Sequence, residues 1–93
     1  MKTKGVVLLK EVAECFEIVL MEWNTPAGKF CLLFVKNPSV REKILAEEKQ
    51  WQGDEIEQVP VIKAPDWTIR AVAIRLKRMF PDLQIESRDS NQN

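Results

Sequence analysis

The sequence KFCLLFV, residues 29–35, limits the possible folds of this chain more than any other stretch. It is a short, continuous apolar run with aromatic and β-branched members, which is typical of a β-strand buried on both faces in a parallel or mixed sheet. A strand of this kind needs other elements over each of its faces. We therefore expect a layered structure around it, and a homodimer interface could supply part of the cover.

The longest uninterrupted segment, residues 6–23, admits two interpretations. It contains no Gly, Pro, Asn, Asp or Ser, so it should form one element. At about 100° per residue its apolar side chains share one stripe and most of its charges lie on the other side, which predicts a helix. The alternative is a hairpin, in which its second half is a strand joined to the apolar run through the turn NTPAG at 24–28. We predict the helix and keep the hairpin strand as the alternative.

The middle of the chain combines a helix signal with a strand signal. Ser39 and Glu42 have the spacing of a capping box, which predicts a helix that begins at Ser39 and ends at Gly53. A strand is predicted at 56–63, where Pro60 indicates an edge position or a bulge.

The last part of the chain repeats this alternation. Residues 66–80 are predicted to form a helix with Asp66 as its N-cap, stopped by Pro81. Residues 83–86 are predicted to form a short final strand. The order β-α-β-α-β, preceded by a helix or a hairpin strand, favours an α/β (or α+β) fold with a short mixed sheet.

The length of 93 residues corresponds to a single small domain, which we expect to comprise residues 1–86. Residues 87–93 are polar and have no apolar anchor, so we expect a disordered C-terminal tail. The sequence shows no internal repeat.

The composition excludes several classes of function. The chain has no histidine, a formal net charge of zero and 30% charged residues. Without histidine it lacks the commonest general base and the usual zinc ligand, and a neutral chain has no overall attraction for nucleic acid or membranes. No segment resembles a signal peptide or approaches the roughly 18 apolar residues of a membrane span. We expect a cytoplasmic, non-enzymatic protein without cofactor or metal, with Cys15 and Cys31 as free core thiols.

The neutral total conceals a separation of charge along the chain. Residues 42–57 contain six acids and two lysines, a net charge of −4, whereas residues 63–80 contain five bases and one acid, a net charge of +4. Such asymmetry between adjacent elements suggests an electrostatic role in binding a partner or a second copy.

The predicted 66–80 helix has two faces that both contain apolar residues. The first covers about a third of the circumference and is expected to face the core. The other mixes basic side chains with a tryptophan and an isoleucine, which a merely solvated face does not need. This outer face is our candidate binding surface, and its residues are Trp67, Arg70, Ile74, Lys77 and Arg78.

Three functions compete for this surface. The first is binding of a protein partner or of a second copy in a homodimer, with the acidic 42–57 segment of a neighbouring copy as one candidate. The second is nucleic-acid binding, in which basic side chains hold phosphates and Trp67 stacks on a base. The third is a small enzyme that works without histidine. We predict protein–protein interaction, because a neutral chain without a nucleic-acid-binding motif gives the second hypothesis little support.

Overall fold

The computed structural model describes residues 16–88 of the chain. This part of the chain forms five strands and two helices in the order β1 (Ile18–Thr25), β2 (Gly28–Val35), α1 (Pro38–Glu47), β3 (Gln52–Ile56), β4 (Val59–Pro65), α2 (Ile69–Met79) and β5 (Ile85–Arg88).

The five strands form one mixed sheet in the order β3-β4-β2-β1-β5. Neighbouring strands are antiparallel, except that β5 runs parallel to β1. Both helices pack on the same face of this sheet. The predicted α/β (or α+β) domain with a mixed sheet is therefore confirmed, and its first described element is the hairpin strand rather than the helix.

The helix predicted over residues 6–23 is wrong where the structure describes it, and residues 6–15 lie outside the described range. β1 pairs with β2 along its whole length, from Ile18 opposite Val35 onward. Ile18 and Leu20 face the helices while Val19 faces the opposite side, and all three are fully buried. A strand buried on both faces has no polar–apolar alternation, so its apolar residues also fit a helical stripe.

The helix predicted to end at Gly53 ends at Glu47, and β3 follows as a strand that the sequence pattern does not predict. β3 lies at an edge of the sheet and is largely exposed, so it lacks the apolar pattern of a strand. It turns into β4 through Glu57 and Gln58, whose φ angles of 51° and 69° are left-handed. Such turns usually carry Asn and Gly, so the sequence has no hairpin signal here.

The predicted strand at 56–63 corresponds to β4, and the expectation that Pro60 marks an edge strand is wrong, since β4 lies inside the sheet between β3 and β2. The pairing of β4 with β2 covers only residues 62–65, so Pro60 lies beyond it and its missing N–H breaks no bond to β2.

Both predicted helix caps are wrong by two residues. Asn37 caps α1, because its Oδ1 accepts a hydrogen bond from the backbone N–H of Ser39 at 2.8 Å. Thr68 caps α2, because its Oγ1 accepts from the N–H of Ala71 at 3.0 Å. Asp66 instead takes a left-handed φ of 64° in the connection from β4 to α2. At the other end of the domain β5 extends to Arg88, and residues 89–93 of the predicted tail lie outside the described range.

The core confirms the interpretation of the KFCLLFV run. Cys31, Leu33 and Val35 are buried beneath the helices, and Leu32 is fully buried on the opposite face. Phe30 and Phe34 on that opposite face are half-buried, so the middle of the strand is covered within one chain.

The backbone contains an internal repeat that the sequence conceals. A shift of 31 residues, the separation of the two N-caps Asn37 and Thr68, converts the first hairpin and helix into the second. The pair Met21 and Leu32 in the β1–β2 ladder becomes Gln52 and Lys63 in the β3–β4 ladder. After the shift of residues 18–47 onto 49–78, Leu45 and Leu76 form the one identical pair.

The repeat has the symmetry of a twofold axis through the centre of the sheet. Leu32 of β2 pairs directly with Lys63 of β4, its own equivalent 31 residues later. The neighbouring pairs obey the same relation, since Cys31 opposite Ala64 becomes Ile62 opposite Leu33. Each position in one half of the domain therefore has a counterpart at the other end of the sheet.

Candidate functional site

The candidate surface from the sequence becomes a stripe along the exposed side of α2. Val72 and Leu76 are fully buried and anchor the opposite side of the helix in the core. Arg70, Ile74, Lys77 and Arg78 are all exposed. Their spacing of four, three and one residues places them on one side of the helix, with Ile74 between the bases. We call these four residues the basic stripe.

Ile74 is the exceptional member of the basic stripe. Its side chain is 53% exposed, and among residues 16–88 it is the one large hydrophobic residue that is exposed. Single exposed apolar residues are common on protein surfaces, so exposure alone carries little meaning. Its significance comes from its position in the middle of three cations, which gives this side of α2 an apolar centre and a charged rim.

Trp67 does not belong to the stripe. It precedes the N-cap of α2, is half-buried and packs against the main core. Its ring meets that of Trp51 in a T-shaped contact with 5.2 Å between centroids, and the guanidinium of Arg75 lies 5.2 Å from its centroid. A base could stack on the face beneath Arg75 only after that guanidinium moved away, which weakens the hypothesis of nucleic-acid stacking.

Arg75 is likewise occupied by the fold. It donates a hydrogen bond to Glu48, whose side chain is 10% exposed, and this ion pair links α2 to the C-cap residue of α1. The bases of α2 that remain for contact with a partner are therefore those of the basic stripe, Arg70, Lys77 and Arg78. The sequence gives no indication of this division, because Glu48 and Trp51 are distant in the chain from Arg75 and Trp67.

The acidic segment forms a surface on α1 and on the edge strand β3. Exposed carboxylates lie on α1, on β3 and in the turn after β3, namely Glu42, Glu47, Asp54, Glu55 and Glu57. The Asp54 carboxylate accepts a hydrogen bond from Lys63 at 3.2 Å, and its pKa is lowered by the backbone N–H of Glu55 and by Lys63. Two ion pairs, Asp54–Lys63 and Glu48–Arg75, thus join the acidic segment to the basic one, and the other exposed acids lie on α1 and at the edge of the sheet.

A second candidate site is a cavity at the N-terminal end of α2, which we call the α2-end pocket. Its volume is about 400 Å³. It is lined by Glu22, Lys29, Phe30, Cys31, Asp66, Trp67, Thr68, Ile69 and Arg70. These residues come from β1, β2 and the start of α2, so their separation in the chain hides the site from sequence analysis.

Charge and burial vary with depth in this pocket. Lys29, Asp66 and Arg70 are exposed, Glu22 is half-buried and Cys31 is buried. Burial, together with the negative charge of Glu22, raises the pKa of the Cys31 thiol to about 12. The thiol is therefore neutral at physiological pH and does not act as a nucleophile.

A second depression lies between the C-terminal ends of the helices. It measures about 410 Å³ and is lined by Lys43, Ala46, Glu47, Met79 and Phe80. It is more open than the α2-end pocket and contains fewer polar groups.

Residues 16–88 contain no cluster of three or more side chains suited to metal binding. No helix within the same range is long and apolar enough to cross a membrane. Comparison of the chain with protein-family models, with curated proteins and with solved structures gives no match.

Proposed function

We propose that this chain is a small, non-enzymatic protein-binding domain that works through the basic stripe on α2. The observation that carries the proposal is the 53% exposure of Ile74 among Arg70, Lys77 and Arg78. Protein interfaces commonly have an apolar centre with a polar, charged rim, and arginine is enriched in them.

The chemistry of the stripe specifies its partner. An apolar pocket or side chain would cover Ile74, and carboxylates around it would meet the three cations. Electrostatic complementarity of this kind mainly gives specificity and fast association. An 11-residue helix supplies only part of a standard interface of about 800 Å² per partner, so a transient interaction fits best.

Two observations favour protein over nucleic acid as the partner. The chain is neutral overall, whereas non-specific nucleic-acid binding depends on neutralising many phosphates. In addition, Trp67 packs in the core with Arg75 against its ring, so the aromatic platform of the nucleic-acid hypothesis is engaged. We include a cytoplasmic location in the proposal, since the buried free thiol of Cys31 is compatible with a reducing compartment.

Fluorescence anisotropy with three labelled probes tests the proposal. The probes are a peptide of repeated leucine and glutamate, a single-stranded random oligonucleotide and a double-stranded one, each at low and moderate salt. The key variants are Arg70→Glu/Lys77→Glu, which reverses the charge of the stripe, and Ile74→Ser, which removes its apolar centre. Lys43→Glu/Lys49→Glu is the matched control, because it reverses two exposed charges that lie outside the basic stripe.

We expect the peptide to bind the native protein and to bind about tenfold more weakly to each stripe variant, equivalent to about 1.4 kcal/mol. The control double variant should change the affinity by less than about twofold. If both double variants lose affinity for the peptide equally, the binding is non-specific charge attraction, and the proposal is wrong. Oligonucleotide binding that disappears with salt and in Arg70→Glu/Lys77→Glu, but not in Ile74→Ser, would replace it with nucleic-acid binding.

Light scattering after gel filtration identifies the case in which the partner is a second copy. A dimer that dissociates in Arg70→Glu/Lys77→Glu would show that the acidic surface of one copy binds the stripe of another. A monomer at all concentrations would assign the stripe to a different protein.

A further inference from the structure

The acidic surface of the domain contains an open edge of the sheet. β3 is the outermost strand on its side, and within residues 16–88 no strand lies beyond it. Its first four residues are exposed, and only Ile56 is half-buried. An edge strand directs a row of backbone N–H and C=O groups away from the sheet, and an extended chain can pair with these groups.

The hydrogen bonds of Glu55 show which backbone groups point outward. In an antiparallel ladder, residues that bond to the neighbouring strand alternate with residues whose groups point away from it. Glu55 lies opposite Pro60, which has no N–H, and the N–H of Glu55 donates to Oδ1 of Asp54 at 2.8 Å. This N–H therefore points away from β4. Gly53 lies two residues earlier in the same strand, so its backbone has the same orientation.

The Asp54 carboxylate shows that the outer side of β3 accommodates an acceptor. Its Oδ1 lies where the carbonyl of an adjacent strand would accept the N–H of Glu55, while its Oδ2 accepts from Lys63 at 3.2 Å. A strand added at this edge would replace Oδ1 by its own carbonyl and leave the ion pair with Lys63 in place. Because one hydrogen bond replaces another at this position, we expect a modest affinity.

The internal repeat shows that the fold accommodates a further strand at this position. β1 is the counterpart of β3, and on its outer side it carries β5, which pairs with residues 18–21. The counterparts of these residues, 49–52, lie mostly in the turn before β3. An added strand would therefore pair farther along, beside residues 53–55. One end of the sheet is extended by β5, and the other end stops at β3.

We propose that the edge of β3 binds an extended basic segment of another protein, which adds a further strand to the sheet. The charge of the surroundings specifies this partner. Glu55 and Glu57 are exposed on β3 and in its turn, and Glu42 and Glu47 are exposed on α1. Lysine or arginine side chains of the added strand would lie near these carboxylates.

The same charges disfavour a second copy as the occupant. Pairing of β3 with the β3 of another copy would bring its acids close to an identical set, and like charges across a strand pair are destabilising. The edge also lies apart from the basic stripe, so this interaction goes beyond the proposed function and uses different residues.

Amide chemical shifts measured by NMR during titration with two peptides test this inference. The first is a short capped peptide of alternating lysine and threonine, and the second has the same sequence with N-methyl groups on adjacent residues. N-methylation keeps the charge and removes backbone donors from both edges of the peptide. We expect the first peptide to shift the amides of residues 52–56 with a dissociation constant of the order of 100 μM, and the second to bind at least tenfold more weakly. Equal binding of the two peptides would mean charge attraction alone and would overturn the inference.

Glu55→Pro and Glu55→Gln form a matched pair of variants. Both remove the charge of Glu55, but only proline also removes the outward N–H. Since this N–H does not bond to β4, proline should leave the ladder intact, as unchanged amide shifts in the rest of the domain would verify. We expect Glu55→Pro to weaken binding of the first peptide at least tenfold and Glu55→Gln to weaken it less than about threefold.

Three further results would contradict the inference. Equal weakening by the two variants would show that only the charge of Glu55 matters. Shifts confined to the helices would place the peptide elsewhere, and shifts of the β3 amides with protein concentration alone would make a second copy the occupant. If Glu55→Pro does not fold, the comparison of the two peptides on the native protein decides. None of these results depends on Ile74, so the test succeeds or fails separately from the proposed role of the stripe.

Discussion

The two ends of the sheet share a backbone framework and differ in chemistry. At the end where α1 meets β3 and β4, Arg41 fills the space beside Gly53, and exposed acids lie on α1 and β3. At the end where α2 meets β1 and β2, a cavity lies beside Glu22, and α2 exposes Ile74 among bases. The basic stripe and the α2-end pocket therefore both lie at the second end.

The helix caps show how little the repeat depends on side-chain identity. Asn37 and Thr68 use different atoms to satisfy different backbone amides, yet their helices begin at equivalent positions. Ser, Thr, Asn and Asp cap helices almost interchangeably, so a backbone repeat can persist after the sequence similarity has disappeared. The side chains that are free to differ, such as those at 41 and 72, then distinguish the two ends.

The largest expected difference between the halves concerns the pair Leu45 and Leu76. Leu76 is fully buried, so Leu76→Ala should cost about 3 kcal/mol of unfolding free energy through lost contacts and an added cavity. Leu45 is half-buried, so Leu45→Ala should cost about half as much. Urea denaturation of the two variants measures this. Equal losses would contradict the view that α2 is the more deeply anchored helix.

The next effect is a loss of stability at alkaline pH. It comes from the thiol of Cys31 and has no equivalent at Ile62, the residue that occupies the same position in the second repeat. The unfolded thiol loses its proton near its ordinary pKa of 9.0, whereas the native thiol keeps it up to about 12. Stability should therefore fall between pH 9 and pH 12, by about 1.4 kcal/mol per pH unit, and be unaffected by this group below pH 9. Urea denaturation between pH 8 and pH 11 measures the slope.

Cys31→Val is the control for this prediction, since it removes the thiol while nearly preserving volume. The difference in slope between the native protein and this variant isolates Cys31 from the titration of lysines. Identical slopes would mean that the native thiol titrates normally. Glu22→Gln should end the fall in stability at a lower pH, because it removes the second cause of the raised pKa of Cys31.

A smaller effect on stability is expected from changes at residues 22 and 53, which occupy equivalent positions at the two ends of the sheet. Gly53→Ile should cost about 1–2 kcal/mol, because its side chain meets Arg41 and Leu45 at close distance. The equivalent change Glu22→Ile should cost less than about 1 kcal/mol, since a cavity adjoins that position. Thermal denaturation ranks the two variants.

The double variant Arg41→Ala/Gly53→Ile tests the cause of this effect. Removal of the arginine should recover part of the loss, since the two residues share one space. If the double variant is as unstable as the sum of the single variants, Arg41 and residue 53 do not compete, and the equivalence of the two ends loses its basis.

The parts of the fold that were predictable have strong local signals. The KFCLLFV strand follows from a continuous apolar run bounded by turn residues, and the α2 helix follows from its apolar periodicity. β1 was predicted only as the alternative, because no turn residue separates it from residues 6–17 and its apolar residues also fit a helical stripe. β3 was not predicted, because it is short, exposed and polar.

The two candidate sites also differ in whether the sequence predicts them. The basic stripe lies on one helix, so the helical spacing of Arg70, Ile74, Lys77 and Arg78 brings the four together in sequence and in space. The α2-end pocket depends on β1 and β2 meeting the start of α2, and no spacing in the sequence encodes that. Trp67 shows the limit of helical reasoning, because it precedes the cap and turns toward Trp51 instead of following the stripe.

The smallest expected effect concerns the two hairpin turns. The first turn places Pro26 and Ala27 between its strands and lets Gly28 take a φ of 142°. The second places Glu57 and Gln58 in left-handed conformations, which cost side-chain-bearing residues some energy. Asn and Gly adopt these angles readily, so Glu57→Asn/Gln58→Gly should raise the free energy of unfolding by about 1 kcal/mol, measurable by urea denaturation. Gly28→Ala should lower it by a similar or larger amount, because alanine does not tolerate that φ. If Glu57→Asn/Gln58→Gly does not raise the free energy of unfolding, other contacts must stabilise Glu57 and Gln58. The two hairpins would then differ in those contacts as well as in the backbone strain of their turns.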